Sequence, residues 1–298
     1  MIKKLDEIVK KVKSVSSMKL AVAAAEDSEV LQAVFDAKKE GIVDPVLIGD
    51  IEKITEIANY LGESLDEIKL VQADDLIDSA QKAVKLVSGG EADFVMKGLL
   101  DTYILLKEVL NKEYGLRTDS LLSHVMLYEV PTYHKLLLLT DGGMNIAPDV
   151  NQKEKIIKNA LKAAKALEIE KIKVACIAAK EKVSEKMIAT IDAKVLSEKD
   201  YGENVVVEGP LAFDLAVSSD AAKIKKFESK VSGDVDVMVV PTIEVGNGIG
   251  KSLTYMANAK SAGIIMGAKA PVVLVSRADT HESKLYSIAL GALIASNK

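Results

Sequence analysis

At 298 residues, 49% hydrophobic and 28% charged, the chain has the composition of a well-packed soluble protein, and two domains are expected because single cores stop growing near this size. A formal net charge of −5 excludes the basic face that nucleic acid requires, and 4% aromatics with no tryptophan leave few platforms for stacking bases. A single cysteine, Cys176, excludes a disulfide framework and a multi-cysteine metal site; no apolar run reaches the roughly 18 residues of a membrane span, and a reducing cytoplasm is the expected location.

The opening residues carry Ile2, Leu5, Val9 and Val12 at helical spacing between lysines. With Asp6 and Glu7 among them and no arginine, they read as an amphipathic helix packed on the domain rather than a membrane-surface helix or transit peptide. From residue 20 short apolar runs alternate with longer periodic segments. Strands are expected at 20–25, 45–50, 68–73 and 92–98, and helices at 26–41, 51–62, 75–90 and 102–115. This βα repetition predicts a parallel sheet covered by helices.

The alternation then breaks. Only Pro131 to His134 separate the strand-like segments 121–130 and 135–143, too few for a crossover helix, so antiparallel pairing or separate sheets are expected. Helix 151–168, strand 172–179, helix 183–200, strand 205–210, helix 213–227, strand 235–241 and helix 250–261 restore the rhythm, with Cys176 inside a core strand. A second break separates the strand-like 263–268 and 271–276, and a helix over 282–296 closes the chain. The two breaks predict a discontinuous first domain, residues 1–125 plus 265–298, around a second domain of 126–264, with the polar strand ends gathered at a cleft where the chain crosses.

Only two of the 39 basic residues are arginines, Arg117 and Arg277. A chain that uses lysine for general positive charge reserves the planar guanidinium for bidentate grip on phosphate or carboxylate, or for a structural salt bridge. Arg277 follows the buried-strand run Val272 to Val275, and ligands of open α/β sheets bind beyond such strand ends. Arg117 lies in a loop-like stretch.

Gly246 to Ser252, GNGIGKS, follows a strand and precedes a helix. Three residues separate Gly246 from Gly250 where a nucleotide-hydrolysing P-loop needs four before its Gly-Lys, so that motif is excluded. The stretch still fits either a loop whose amides approach an anion, with Lys251 adding charge, or a helix-capping turn. Lys97-Gly98 and Thr102 follow one strand, and Thr140, Asp141, Gly142, Gly143 and Asn145 another, in the same manner, outlining a phosphate-binding cleft. His134 and His281 read as structural, whereas His124 remains a site candidate; no histidine has a neighbour at metal-ligand spacing. Asp234 and Asp236 read as turn residues, and no serine sits in an acyl-transfer elbow.

Five segments in order, 96–102 (MKGLLDT), 139–149 (LTDGGMNIAPD), 208–218 (EGPLAFDLAVS), 241–253 (PTIEVGNGIGKSL) and 273–280 (VLVSRADT), resemble the phosphotransacetylase family, nearest its phosphate butyryltransferase branch. The resemblance implies two α/β/α sandwich domains of the isocitrate/isopropylmalate dehydrogenase type, the first discontinuous, with an active-site cleft between them. It implies reversible transfer of a short acyl group between CoA and inorganic phosphate, with CoA as substrate, no metal and no bound cofactor, and at least a dimer. By similarity Arg277 holds the phosphoryl group, and the Ser276 hydroxyl stabilises the tetrahedral oxyanion. The family places an aspartate shortly after its Ser-Arg pair, at the position of Ser283; here Glu282 stands one residue earlier, so the base that takes the thiol proton is Glu282 or another group. Lys107 stands where the family commonly has arginine, and Arg117 is the candidate to compensate. Lys97, Gly98, Thr102, His124, Asp141, Asn145, Glu244, Gly246, Asn247 and Lys251 complete the expected substrate-binding set. The alternatives are acetyl specificity and a catalytically silent acyl-CoA or phosphate-binding module of the same fold.

Overall fold

The computed structural model describes residues 1–14, 17–275 and 279–297, and the chain folds as two compact units. The flanking unit comprises Asp6–Ser120 and Ala262–Lys298, and the middle unit Met1–Leu5 and Leu121–Ser261, both named for their place along the chain.

Helix α1 (Leu5–Lys13) opens the chain, with Leu5, Ile8 and Val12 fully buried beneath a lysine-rich outer face. Then β1 (Met18–Ala23), α2 (Ser28–Lys39), β2 (Val43–Gly49), α3 (Ile51–Leu61), β3 (Lys69–Gln72), α4 (Leu76–Ser88), β4 (Phe94–Lys97) and α5 (Thr102–Val109) follow in regular alternation. Each of the first three strands gives way to its helix at an aspartate: Asp27, Asp50 and Asp75 accept the N–H of Val30, Lys53 and Asp78. Each such cap satisfies an orphan donor of the first turn and contributes about 1 kcal/mol. α5 stops at Val109, short of the expected 115, and Leu110 is exposed.

In the middle unit β5 (Ser123–Glu129) and β6 (Leu137–Thr140) pair antiparallel, as the short connection between them requires. α6 (Val150–Ala166), β7 (Ile172–Ile177), α7 (Ile188–Ser197), β8 (Val205–Leu211), α8 (Phe213–Val217), α9 (Ser219–Ile224), β9 (Val237–Val239) and α10 (Ile243–Met256) complete it, with strand order β5-β6-β9-β7-β8. The expected single helix over 213–227 is two, broken at Ser218, whose hydroxyl caps the second by accepting the Ala221 N–H. Tyr128, Leu137, Leu139, Met238 and Val240 are at the centre of this unit's core.

The chain returns to the flanking unit through β10 (Lys260–Met266) and β11 (Val272–Val273), an antiparallel pair, and ends in α11 (His281–Ser296). The strand order is β3-β2-β1-β4-β11-β10, parallel except for β10. α11 packs on α2, β4 and β11, and α4 on α5 and β1. The order reverses at β1 and β4, the place where open α/β sheets receive ligands.

Candidate functional site

In the flanking unit Lys97 ends β4, with its ammonium donating to the carbonyls of Gly98 (3.1 Å) and Leu100 (3.0 Å). Gly98 is required by close approach: a Cβ there would lie 2.0 Å from the Ala24 carbonyl oxygen. The Gly98 and Leu99 N–H groups bond the carbonyls of Ala23 and Ala24, stitching the exit of β4 to the end of β1. Thr102, first residue of α5, and Lys107 in its last turn are both exposed. Arg117 is exposed too, and its neighbours tie it to the turn between β10 and β11: the Lys269 N–H donates to Leu116, and the Thr118 hydroxyl to Gly267 (2.5 Å). That turn precedes β11, whereas Lys97 closes the parallel strand β4 at its C-terminal end, so Arg117 belongs to the opposite end of these strands.

Ser276 and Arg277 lie outside the described residues. After them, Thr280 caps α11 by accepting the Ser283 N–H (3.2 Å), so Ser283 serves the helix start. Glu282 in the same turn is exposed and accepts the Tyr286 hydroxyl (3.0 Å), which also donates to Asp6. His281 pairs with Asp36 (2.7 Å). Lys284, which no sequence motif marks, is buried and donates to Glu29 (2.8 Å) and to the carbonyl of Asp279 (3.1 Å). Its ammonium bond and charge hold the Glu29 carboxyl below its usual range. A lone lysine in the apolar stretch KLYSIALGALIAS was the available signal.

In the middle unit Asp141, at the end of β6, organises the site candidates. Its carboxylate is buried and accepts four N–H groups: Gly143 (2.9 Å) and Met144 (2.8 Å) on Oδ1, His124 N (3.1 Å) and Asn145 Nδ2 (2.6 Å) on Oδ2. The same Asn145 amide donates to Leu122 (2.9 Å), and the Thr140 hydroxyl to the His124 carbonyl (2.8 Å). Asp141, His124 and Asn145 are thus brought together, with Asp141 committed to holding the turn. The His124 ring packs against Gly143, where a Cβ would stand 2.5 Å from its Nδ1.

The glycine-rich stretch from Gly246 to Ser252 corrects an expectation. It is neither a loop nor a helix start but the interior of α10, which begins at Ile243. Its glycines serve packing: a Cβ on Gly246 would lie 2.7 Å from Gly142 Cα, and one on Gly250 2.5 Å from the Tyr128 hydroxyl. α10 therefore rests directly on the turn after β6, and Lys251 projects from the helix body rather than toward amides at its N-terminus. Asn247 Nδ2 lies 3.4 Å from the Gly142 carbonyl oxygen. Glu244, in the first turn, has its carboxyl lowered by the Thr242 hydroxyl and by its own N–H. On another face of α10, Val245, Gly248, Ile249 and Leu253 line an apolar cavity of about 680 Å³ with Ile177 and Phe213.

Asp234 and Asp236 are more than the expected turn residues. Lys135, buried, bonds both (2.8 and 2.6 Å), and Lys173 and His134 also reach Asp234. Burial pushes the Asp234 carboxyl up, but these bonds outweigh it and hold it well below the usual range, whereas burial dominates at Asp236 and raises it. Cys176 is buried, and burial pushes its thiol up to about 12, which makes it a core residue and not a nucleophile. Among the described residues no group of three His, Cys, Asp or Glu side chains is placed to hold a metal ion, and no helix is long and apolar enough to cross a membrane.

Together these features define an α/β protein with polar residues gathered at strand ends, and solved structures share its fold. A branched-chain phosphotransacylase from Enterococcus faecalis superposes with a TM-score of 0.83 at 37% identity, over 93% of this chain and 99% of the other. A 4-hydroxythreonine-4-phosphate dehydrogenase from Burkholderia phymatum, 15% identical and with a TM-score of 0.57 over 94% of this chain and 99% of its own, shares the fold alone. The family model described as phosphate acetyl/butaryl transferase matches residues 4–78 and 71–292, and the chain belongs to that family. A phosphate butyryltransferase of Clostridium acetobutylicum is 48% identical over 301 residues, covering 100% of both chains. A phosphate acetyltransferase of Thermotoga maritima is 41% identical over 93% of this chain and 95% of its own.

Proposed function

We propose that the protein is a cytoplasmic phosphate butyryltransferase, interconverting butyryl-CoA plus inorganic phosphate and butyryl phosphate plus CoA. The observation that carries this is the 48% identity to a phosphate butyryltransferase over the full length of both chains. In the direction of thioester formation the CoA sulfur attacks the acyl carbon, the carbon–oxygen bond to phosphate breaks, and the thiol proton passes to a base. A free thiol has a pKa near ~8.5, so a neighbouring carboxylate is useful at neutral pH. Arg277 grips the phosphoryl group bidentately, Ser276 donates to the oxyanion of the tetrahedral intermediate, and Glu282, exposed in the first turn of α11, takes the proton. Lys97, Gly98, Thr102, Lys107, His124, Asn145, Glu244, Asn247 and Lys251 remain assigned to substrate contacts, with Asp141 and Gly246 shaping the turn that carries Asn145, whereas Arg117, at the opposite end of the strands from Lys97, is withdrawn from the set.

The test is release of free thiol from butyryl-CoA by the purified protein with and without phosphate. Phosphate-dependent release that is largely lost in Arg277→Lys, with the fold retained, is expected. Phosphate-independent release would make the protein a thioesterase, and wild-type rates in Arg277→Lys would remove Arg277 from the chemistry. Acetyl specificity is the second reading, favoured by the 41% identity to a phosphate acetyltransferase. One or two methylenes change pocket contacts by only about 1–3 kcal/mol, so side-by-side rates on the two thioesters decide.

Self-association belongs to the same proposal. Tyr255 and Met256 at the end of α10, with Ile188 and Phe213, are exposed apolar side chains of the middle unit, and we assign to them the contact of at least a dimer. Light scattering is expected to return two or more chain masses, and a single mass at micromolar protein would refute it.

A further inference from the structure

Two ion pairs join the opening turn of α11 to α2, His281 with Asp36 (2.7 Å) and Lys284 with Glu29 (2.8 Å). The first is partly open to water, whereas the Lys284 side chain is buried. Stability does not ask for a cation there. The start of a helix carries the positive end of its dipole, and an apolar side chain of similar volume often serves a core as well as a buried ion pair or better. Glu29 is exposed, so without Lys284 its carboxylate would still be solvated. What Lys284 holds besides Glu29 is main chain: its ammonium also donates to the Asp279 carbonyl (3.1 Å), just ahead of the Thr280 cap.

That carbonyl lies close along the chain to the chemistry. Asp279 stands two residues after Arg277, about 7 Å of chain at full extension, and on the other side Val275 is buried just before Ser276. The far end of the tie is rigid, because α2 sets Val30, Leu31, Val34 and Phe35 into the core of the flanking unit. We propose that Lys284 is a positioning residue for phosphate: anchored on Glu29, it holds the Asp279 carbonyl and through it sets the place of Arg277. This rests on the phosphate acyl transfer reading above, in which Arg277 grips the phosphoryl group.

Lys284→Met removes the ammonium and keeps the length of the side chain. Thermal melts of this variant and of Glu29→Gln, with thiol-release kinetics in which phosphate and butyryl-CoA are varied in turn, test the proposal. Lys284→Met is expected to melt near the wild-type temperature yet to lose roughly tenfold to a hundredfold in kcat/KM for phosphate, the scale of a misplacement of about 1 Å at a reacting centre. KM for butyryl-CoA is expected to stay within twofold of wild type. Glu29→Gln keeps an acceptor and removes its charge, so it should move the phosphate constant in the same direction by less, and it carries the test if Lys284→Met does not fold. A kcat/KM for phosphate within twofold of wild type in both variants, or a loss shared equally by the two substrates, would make Lys284 a structural residue and overturn its role while leaving the acyl transfer intact. A wild type whose thiol release does not depend on phosphate would overturn both.

Discussion

Two glycines of α10, two residues apart, should respond to the same added methyl with opposite sign. Replacing a helical glycine by alanine is worth about 0.8–1.0 kcal/mol in backbone propensity. At Gly248 nothing lies within 4 Å of the new Cβ, so Gly248→Ala should gain that amount, a rise of roughly 2–4 °C for a unit of this size. At Gly246 the Cβ would meet Gly142 Cα at 2.7 Å, and the Asp141 carbonyl oxygen and Val240 Cγ2 at 2.9 Å. The backbone of the Asp141–Gly142 turn cannot step aside, so the helix must lift from it, and such overpacking costs about 1–3 kcal/mol. The propensity gain cancels between the two variants, and their difference isolates the packing penalty: Gly246→Ala should be less stable than Gly248→Ala by about 1–3 kcal/mol. Urea unfolding followed by circular dichroism measures both. A Gly246→Ala midpoint equal to or above that of Gly248→Ala would refute close packing of α10 on the Asp141 turn.

Asp141→Asn replaces an acceptor of four N–H groups by a side chain with one acceptor oxygen and an amide that faces donors. At about 1.5–3 kcal/mol per charge-assisted bond, it should destabilise by roughly 3 kcal/mol or more and lower turnover as the turn shifts; an unchanged urea midpoint would show the carboxylate to be dispensable. Asp234 contributes to acid sensitivity. Its folded carboxyl is held below the unfolded value, so the stability it contributes is present above about pH 4 and is lost as pH falls from there. Asp234→Asn should therefore melt lower than wild type at pH 7 and fall less steeply below pH 4, and equal acid slopes in thermal melts would refute the assignment.

Periodicity alone determined most of the elements. An apolar run such as Val43–Gly49, closed by an aspartate before an amphipathic stretch, reads as strand, cap and helix because each part is set by residues within a few positions of one another. The antiparallel pairing of β5 with β6 was legible for the same reason, since four residues cannot hold a crossover helix. Asp141 and Asn145 were legible as polar residues of one strand-end turn, whereas the approach of His124 to them depends on the pairing of β5 with β6. What the sequence could not decide were roles set by residues distant along the chain. GNGIGKS has the composition of an anion-binding loop, and only its contact with Gly142 and Tyr128, more than a hundred residues earlier, makes it the packed face of a helix. Arg117 looks able to compensate for the arginine missing at Lys107 until the Thr118 and Lys269 bonds fix it beside the turn that precedes β11. Asp236, Lys135 and Lys284 are ordinary surface types in sequence, and their burial follows from which strand or helix the tertiary fold lays over them. Local propensity acts over a turn or a strand, whereas desolvation and close packing depend on partners that only folding brings near.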